Sequence, residues 1–129
     1  MVMDSSAVIA VLRREAGAEN VIPHLRTALI SSVNVAEVFY IAEAEGAGRS
    51  EISSALARME LTEVGFDREQ AERLASLYSI TRGGSVGFAD RACLALADRY
   101  QLPVLTGDRE WIKYDIDLDI RLFRHAEAA

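Results

Sequence analysis

Apolar positions in this chain fall into short clusters whose spacing switches between strand-like and helix-like periods. Val2–Met3 is a brief apolar run of the buried-strand kind, ended by Asp4. Ser6 then caps a predicted helix running to about Arg14 and stopped by Gly17. Ala18–Ala28 reads as a second helix with an early proline, Pro23, and Leu29–Ser31 as a short strand. Val33–Ala44 is a strongly apolar helix with Gly46 just past its end, in the usual stop position. Ser50–Glu60 carries Ile52, Leu56 and Met59 at helical spacing, and Leu61–Phe66 alternates weakly, as a strand does. Asp67 with Gln70 has the form of a capping box, opening a helix to Ile80. Gly83, Gly84 and Gly87 predict a loop, and Phe88–Tyr100 a helix almost free of polar residues on one side. Pro103–Leu105 predicts a buried strand, Thr106–Gly107 a turn, Arg109–Lys113 a short helix and Asp119–Phe123 an edge strand. Strands alternating with helices imply an α/β sandwich, a short central parallel sheet covered on both faces.

Composition sets bounds on this picture. The 129 residues suit one domain, and a 50% apolar content supplies a core. The single cysteine, Cys93, cannot form an internal disulfide and reads as a small core residue. The opening MVMDSSAVIAVL faintly resembles a signal peptide, but its only nearby charge is Asp4, negative where such a segment carries Lys or Arg. The expectation is a soluble cytoplasmic protein without a membrane span. A net charge of −6 disfavours a basic surface for tracking duplexes. A nuclease remains compatible with it, since catalytic carboxylates are themselves acidic and bound cations reverse the local potential.

The informative acids are those placed where an acid is costly. Glu37 interrupts VNVAEVFYIA, and an ionised carboxylate buried there needs a cation or strong donors. Asp4 ends the first apolar strand, Asp108 follows PVLTG, and Asp90 opens FADRACLALA. Ligands of open parallel sheets bind beyond the carboxyl ends of the strands, where Asp4 and Asp108 fall and over which Glu37 can lean. Asp90 sits at a helix N-terminus, where the dipole favours an anion. Four converging carboxylates would repel one another without cations, and all-oxygen ligation suits Mg²⁺ or Mn²⁺. With only His24, His125 and Cys93 as softer donors, zinc does not fit. Taken singly, Asp4 and Asp108 also read as helix caps and Asp90 as a first-turn residue; Glu37, in mid-helix, does not.

These segments together resemble the PIN-domain family, and most closely its VapC-type toxins. VMDSSAVIAVLRREAGAENV is similar to the family's first motif, ISSVNVAEV to its second, and GFADRACLALADRYQLPVLTGDREW to its third and fourth joined. The match spans almost the whole chain in order. VGFAD departs from the Ser-Leu-Gly-Asp run common before the third acid, but Asp90 itself is kept. The resemblance implies a PIN-like three-layer sandwich over residues 1–129. It implies that Asp4, Glu37, Asp90 and Asp108 hold Mg²⁺ or Mn²⁺, with Ser6 and Thr106 orienting carboxylates or water. The implied activity is phosphodiester hydrolysis by an endoribonuclease, the toxin of a toxin–antitoxin pair, with a homodimeric state and an antitoxin that blocks the pocket.

Other readings stay open at this level. A PIN-like module that binds without turnover would keep the same acids. A phosphoacceptor receiver domain has similar length and acidity, but it needs paired acids after the first strand and a late lysine, and here Asp4 stands alone with Lys113 misplaced. Arg13, Arg91 and Arg109 are candidates for RNA phosphate, with a solvated helix end the preferred reading of Arg13 and pairing with the acids an equal option for the other two. Trp111 reads as packing rather than a stacking platform, and Phe39 and Tyr40 as core or dimer contacts.

Overall fold

The computed structural model describes residues 1–82 and 86–124. Its elements are β1 (Val2–Met3), α1 (Ser5–Arg13), β2 (Leu29–Ser31), α2 (Ser32–Ala44), α3 (Arg49–Met59), β3 (Thr62–Val64), α4 (Arg68–Thr81), α5 (Phe88–Tyr100), β4 (Val104–Thr106) and β5 (Ile120–Leu122). Short 3₁₀ turns at Ala18–Asn20, Ile22–Thr27 and Arg109–Lys113 fill the connections. Of the predicted glycine loop, Gly83 and Gly84 lie outside the described residues, as does His125. No helix among the described residues is long and apolar enough to cross a membrane.

All five strands are parallel, in the order β3-β2-β1-β4-β5. The period-2 rule sorts their side chains into two cores. Met3, Ile30 and Leu105 face one side, packing with Ala7, Val8 and Ala10 of α1, Val38 of α2 and Ile52 of α3. Val2, Leu29 and Val104 face the other, against Leu77 of α4, the run Cys93–Ala97 of α5 and fully buried Trp111. The result is the three-layer sandwich expected from the alternating pattern, and Trp111 and Cys93 are core residues as their types suggested.

The order also fixes where a ligand belongs. From β1 the chain moves outward to β2 and β3, then returns to β4 on the other side of β1. The sheet order therefore reverses between β1 and β4, and the crevice beyond their carboxyl ends is the switch point at which α/β sheets bind ligands.

Four local expectations change. Ala18–Ala28 is not one helix: it breaks into two 3₁₀ turns, with Pro23 at the start of the second, where a missing N–H is tolerated. The cap of α1 is Asp4 by position, not Ser6, and its carboxylate makes no cap bond because it is engaged elsewhere. Asp67 does accept from the Gln70 N–H at 2.9 Å, yet the Gln70 side chain donates to the Gly65 carbonyl, so the box is half formed. Strand β4 lies one residue later than expected and includes Thr106, because Pro103 gives only its carbonyl, which accepts from the Val2 N–H at 2.7 Å.

Candidate metal centre

The crevice at the switch point is built from two strand ends and two helix starts. Asp4 leaves β1 with its N–H donating to the Leu105 carbonyl at 3.0 Å, which seats its side chain beside β4. It is 3% exposed. Its Oδ2 accepts from Ser6 Oγ at 2.6 Å and from Thr106 Oγ1 at 2.8 Å. Those hydroxyls are oriented in turn, Ser6 Oγ accepting from the Gly107 N–H and Thr106 Oγ1 from the Asp108 N–H, each at 3.0 Å. Two backbone amides thus point both hydroxyl protons at one carboxylate oxygen. Oδ1 of the same carboxylate is buried and finds no hydrogen-bond partner among the described residues.

Glu37 comes from α2 and Asp90 from the first turn of α5. One oxygen from each of Asp4, Glu37 and Asp90 lies within 4.8 Å of the others. Glu37 is half-buried rather than enclosed, since α2 leans its Asn34 and Val38 inward and leaves Ala36 and Tyr40 outside. Ser5 Oγ donates to Glu37 Oε1. Asp90 Oδ2 accepts from the Gly87 N–H at 2.9 Å, so its first-turn role is real and compatible with a place in the cluster.

Asp108 lines the same cavity, of about 260 Å³, but stands outside the tight group of three. Its Oδ1 accepts from the Glu110 N–H at 3.0 Å, which makes it the cap of the Arg109–Lys113 turn. Its reading as a cap is therefore realised, and it keeps a place on the cavity wall.

Burial decides the electrostatics. It raises the Asp4 carboxyl above its ordinary value, opposed by the Ser6 and Thr106 hydroxyls and assisted by the Glu37 charge. Asp90 is pushed up to about 6, first by burial, against the Gly87 N–H, and then by Asp4, Glu37 and Asp108. The Cys93 thiol is raised well above its ordinary value by the same burial and by the neighbouring acids.

A buried carboxylate oxygen without a donor among the described residues, on a residue clustered with two further carboxylates, fits a bound cation. The all-oxygen donor set suits a hard divalent ion such as Mg²⁺ or Mn²⁺. Because Ser6 and Thr106 fix which oxygen of Asp4 stays free, Ser6→Ala or Thr106→Val is expected to weaken Mn²⁺ binding about 10–100-fold. Titration calorimetry reads this directly, and unchanged affinity in both variants would contradict it.

The three arginines separate. Arg13 lines the cavity, paired with Glu15 at 3.2 Å and with Glu45. Arg91 does not line it: its Nε donates to Thr81 Oγ1 at 2.8 Å and its guanidinium lies 5.1 Å from the Tyr78 ring centre. Arg109 is exposed and also off the cavity wall. Tyr40, expected in the core or at a dimer contact, is 78% exposed and so not in the core, while Phe39 packs partly against it.

Three residues escaped the sequence reading. Ser5 was hidden beside Ser6 in one dipeptide. Arg124 reaches the cavity wall from the far end of the chain. Asn34, fully buried, donates through Nδ2 to the Ala89 carbonyl at 3.0 Å and so ties α2 to the start of α5. The available signal for Asn34 was a polar residue inside VNVAEV, three positions before Glu37 and hence on the same helical face.

The PIN domain family model matches residues 1–117. No protein of curated function matches the chain. Among solved structures it is similar to VapBC2 from Rickettsia felis, bound to a promoter DNA fragment, with a TM-score of 0.75 at 15% identity over 94% of this chain and 96% of that one. It is similar to DNA-bound VapBC from Salmonella typhimurium, with a TM-score of 0.76 at 16% identity over 95% and 97%. FitAcB from Neisseria gonorrhoeae gives 0.67 at 21% identity over 93% and 95%. The family model spans the elements that carry Asp4, Glu37, Asp90 and Asp108, and this chain belongs to the PIN-domain family.

Proposed function

We propose that the chain is a Mg²⁺- or Mn²⁺-dependent endoribonuclease and the toxin of a toxin–antitoxin pair. The observation that carries the reading is the cluster of Asp4, Glu37 and Asp90 at the switch point, with Asp4 Oδ1 buried and without a donor. When bound there, a divalent ion supplies a lowered pKa for attacking water and positive charge for the crowded phosphate of the transition state.

The chain's own residues prepare for that chemistry. Ser6 and Thr106 lock Asp4 Oδ2, leaving Oδ1 for the cation. Ser5 holds Glu37 and the Gly87 N–H holds Asp90, so the three carboxylates are positioned before any substrate arrives. Asp108, fixed as a turn cap at the rim, adds a fourth negative charge beside the phosphate path.

The toxin assignment rests on the likeness to VapBC and FitAcB, together with the first-to-fourth motif order along the chain. A cognate antitoxin covering the pocket and a cytoplasmic location follow from that same reading. A homodimer follows from that reading as well. Light scattering that finds a monomer would count against it.

The test is incubation of purified protein with a mixed cellular RNA pool, with Mg²⁺ or Mn²⁺ and with EDTA, beside Asp90→Ala. Discrete cuts that vanish with EDTA and with the substitution are expected, and end mapping identifies the target. Absence of cleavage while Mn²⁺ still binds would instead favour a binding module without turnover.

A further inference from the structure

We propose that Arg124 is a substrate-positioning residue that grips a backbone phosphate next to the scissile one; this rests on the nuclease reading above. The cavity gathers Asp4, Glu37, Asp90 and Asp108, a charge set that repels a polyanion on every side the cation does not shield. A phosphate chain entering it needs cationic wall. Two guanidiniums line the cavity, Arg13 and Arg124, and both are attached to Glu15, at 3.2 Å and 2.5 Å. Arg13 is engaged a second time by Glu45. Among the described residues Glu15 is the one carboxylate paired with Arg124, through Nη2, and none of them accepts a side-chain hydrogen bond from its other N–H groups.

The placement of Arg124 is built in. Phe123, 1% exposed, anchors the segment in the core. Asn20 Nδ2 donates to the Phe123 carbonyl at 2.9 Å. Two glycines make room: a Cβ on Gly107 would stand 2.9 Å from Phe123 Cζ and 3.2 Å from Arg124 Nη1, and one on Gly17 would stand 3.1 Å from Arg124 Cγ. The guanidinium rests 4.8 Å from the Phe123 ring centre. Gly107 lies between Thr106, which orients Asp4, and Asp108. The strand end that sets the carboxylates therefore also seats the arginine, and a planar, weakly hydrated guanidinium on an aromatic face suits bidentate phosphate contact.

A purely structural Arg124–Glu15 bridge makes a different prediction from a phosphate grip. If the bridge only ties the chain end to α1, Arg124→Ala and Glu15→Gln have effects of the same sign. If Arg124 grips phosphate, they have opposite signs, because Glu15→Gln removes the acid that competes for the guanidinium.

The experiment measures binding by fluorescence anisotropy, using a labelled mixed-sequence single-stranded RNA with Ca²⁺ in place of Mg²⁺. Salt is varied, and wild type is compared with Arg124→Ala, Arg124→Lys, Glu15→Gln and the distant control Arg26→Ala. Arg124→Ala is expected to weaken binding about tenfold and to lower the slope of log K against log salt by about 0.7, one phosphate contact on a single strand. Arg124→Lys should restore the slope but only part of the affinity, and Glu15→Gln should tighten binding. Arg124→Ala indistinguishable from Arg26→Ala, or weakened together with Glu15→Gln, overturns the phosphate grip. If wild type cleaves RNA in Mn²⁺ under either of those results, the nuclease reading survives alone. A wild type that neither binds nor cleaves RNA overturns both.

Discussion

Replacing Asp4 by asparagine is expected to abolish RNA cleavage while leaving the metal-free fold at least as stable as the wild type at neutral pH. The amide oxygen can occupy the Oδ2 position and keep the Ser6 and Thr106 hydrogen bonds. The amide nitrogen then falls where Oδ1 lies, buried and without a donor, and presents N–H groups toward Glu37 and Asp90. Removing a buried charge from among like charges contributes on the order of 1 kcal/mol to the fold. The same exchange deletes the oxygen that would ligate the cation. A fall of about 10³-fold in kcat/KM, some 4 kcal/mol of transition-state stabilisation, is expected. Gel-based cleavage rates and urea denaturation should therefore move in opposite directions. Activity within a few-fold of wild type would remove Asp4 from the chemistry, and a large loss of stability would mean that its charge serves the fold instead.

The second large effect is a pH-dependent stabilisation by divalent cations. Asp90 is raised to about 6 in the folded chain against 3.8 for the free side chain. The folded state therefore holds the proton more tightly, and the resulting stability is present below the unfolded value and lost as pH rises through about 6. Asp4, raised in the same direction, acts with the same sign. Metal-free protein should thus lose stability as the pH is raised from 4 toward 7, by about 1 kcal/mol for the partly exposed Asp90 after solvent screening. A cation reverses this trend because it binds the ionised carboxylates. At a hundredfold excess over its dissociation constant it adds about 2.7 kcal/mol, or about 10 °C in Tm for a domain of this size. At pH 5 the proton on Asp90 competes, and the gain should shrink by a part of that same screened amount, less than about 1 kcal/mol. Thermal melts at pH 5 and pH 7.5, with and without Mn²⁺, check the sign. A gain that is equal at both pH values, or retained in Asp90→Asn, would contradict a site that uses this carboxylate.

Much of this arrangement is legible in the sequence because period and punctuation are local properties. The two-residue apolar run before Asp4, the apolar α5 and the turn after PVLT place three of the four acids on the right sheet edge. The alternation of strand and helix fixes a parallel sheet without any knowledge of contacts. What fails locally is the stretch around Pro23, where helical spacing competes with a missing donor and the outcome is 3₁₀. Tyr40 sits in an apolar run, yet α2 turns it outward, and only packing against α1 and α5 decides that rotation.

The site divides along the same line. Acids at strand ends and inside apolar runs announce themselves by cost, so Asp4, Asp108 and Glu37 stand out in the sequence. Partners that arrive through space do not. Ser5 reaches Glu37 across 32 positions, and Arg124 meets Glu15 across 109. The clustering of three acids, with Asp108 on the cavity wall outside the tight group, is likewise a product of tertiary geometry.

The most direct test of the central claim, that these carboxylates exist to hold a divalent cation, is anomalous diffraction at the manganese edge from crystals soaked in Mn²⁺. A peak ligated by Asp4 Oδ1, Glu37 and Asp90 is expected, absent from crystals of Asp4→Asn. No peak in that cavity in crystals of protein that cleaves RNA in the same Mn²⁺ buffer, or a peak that persists in Asp4→Asn, would contradict it.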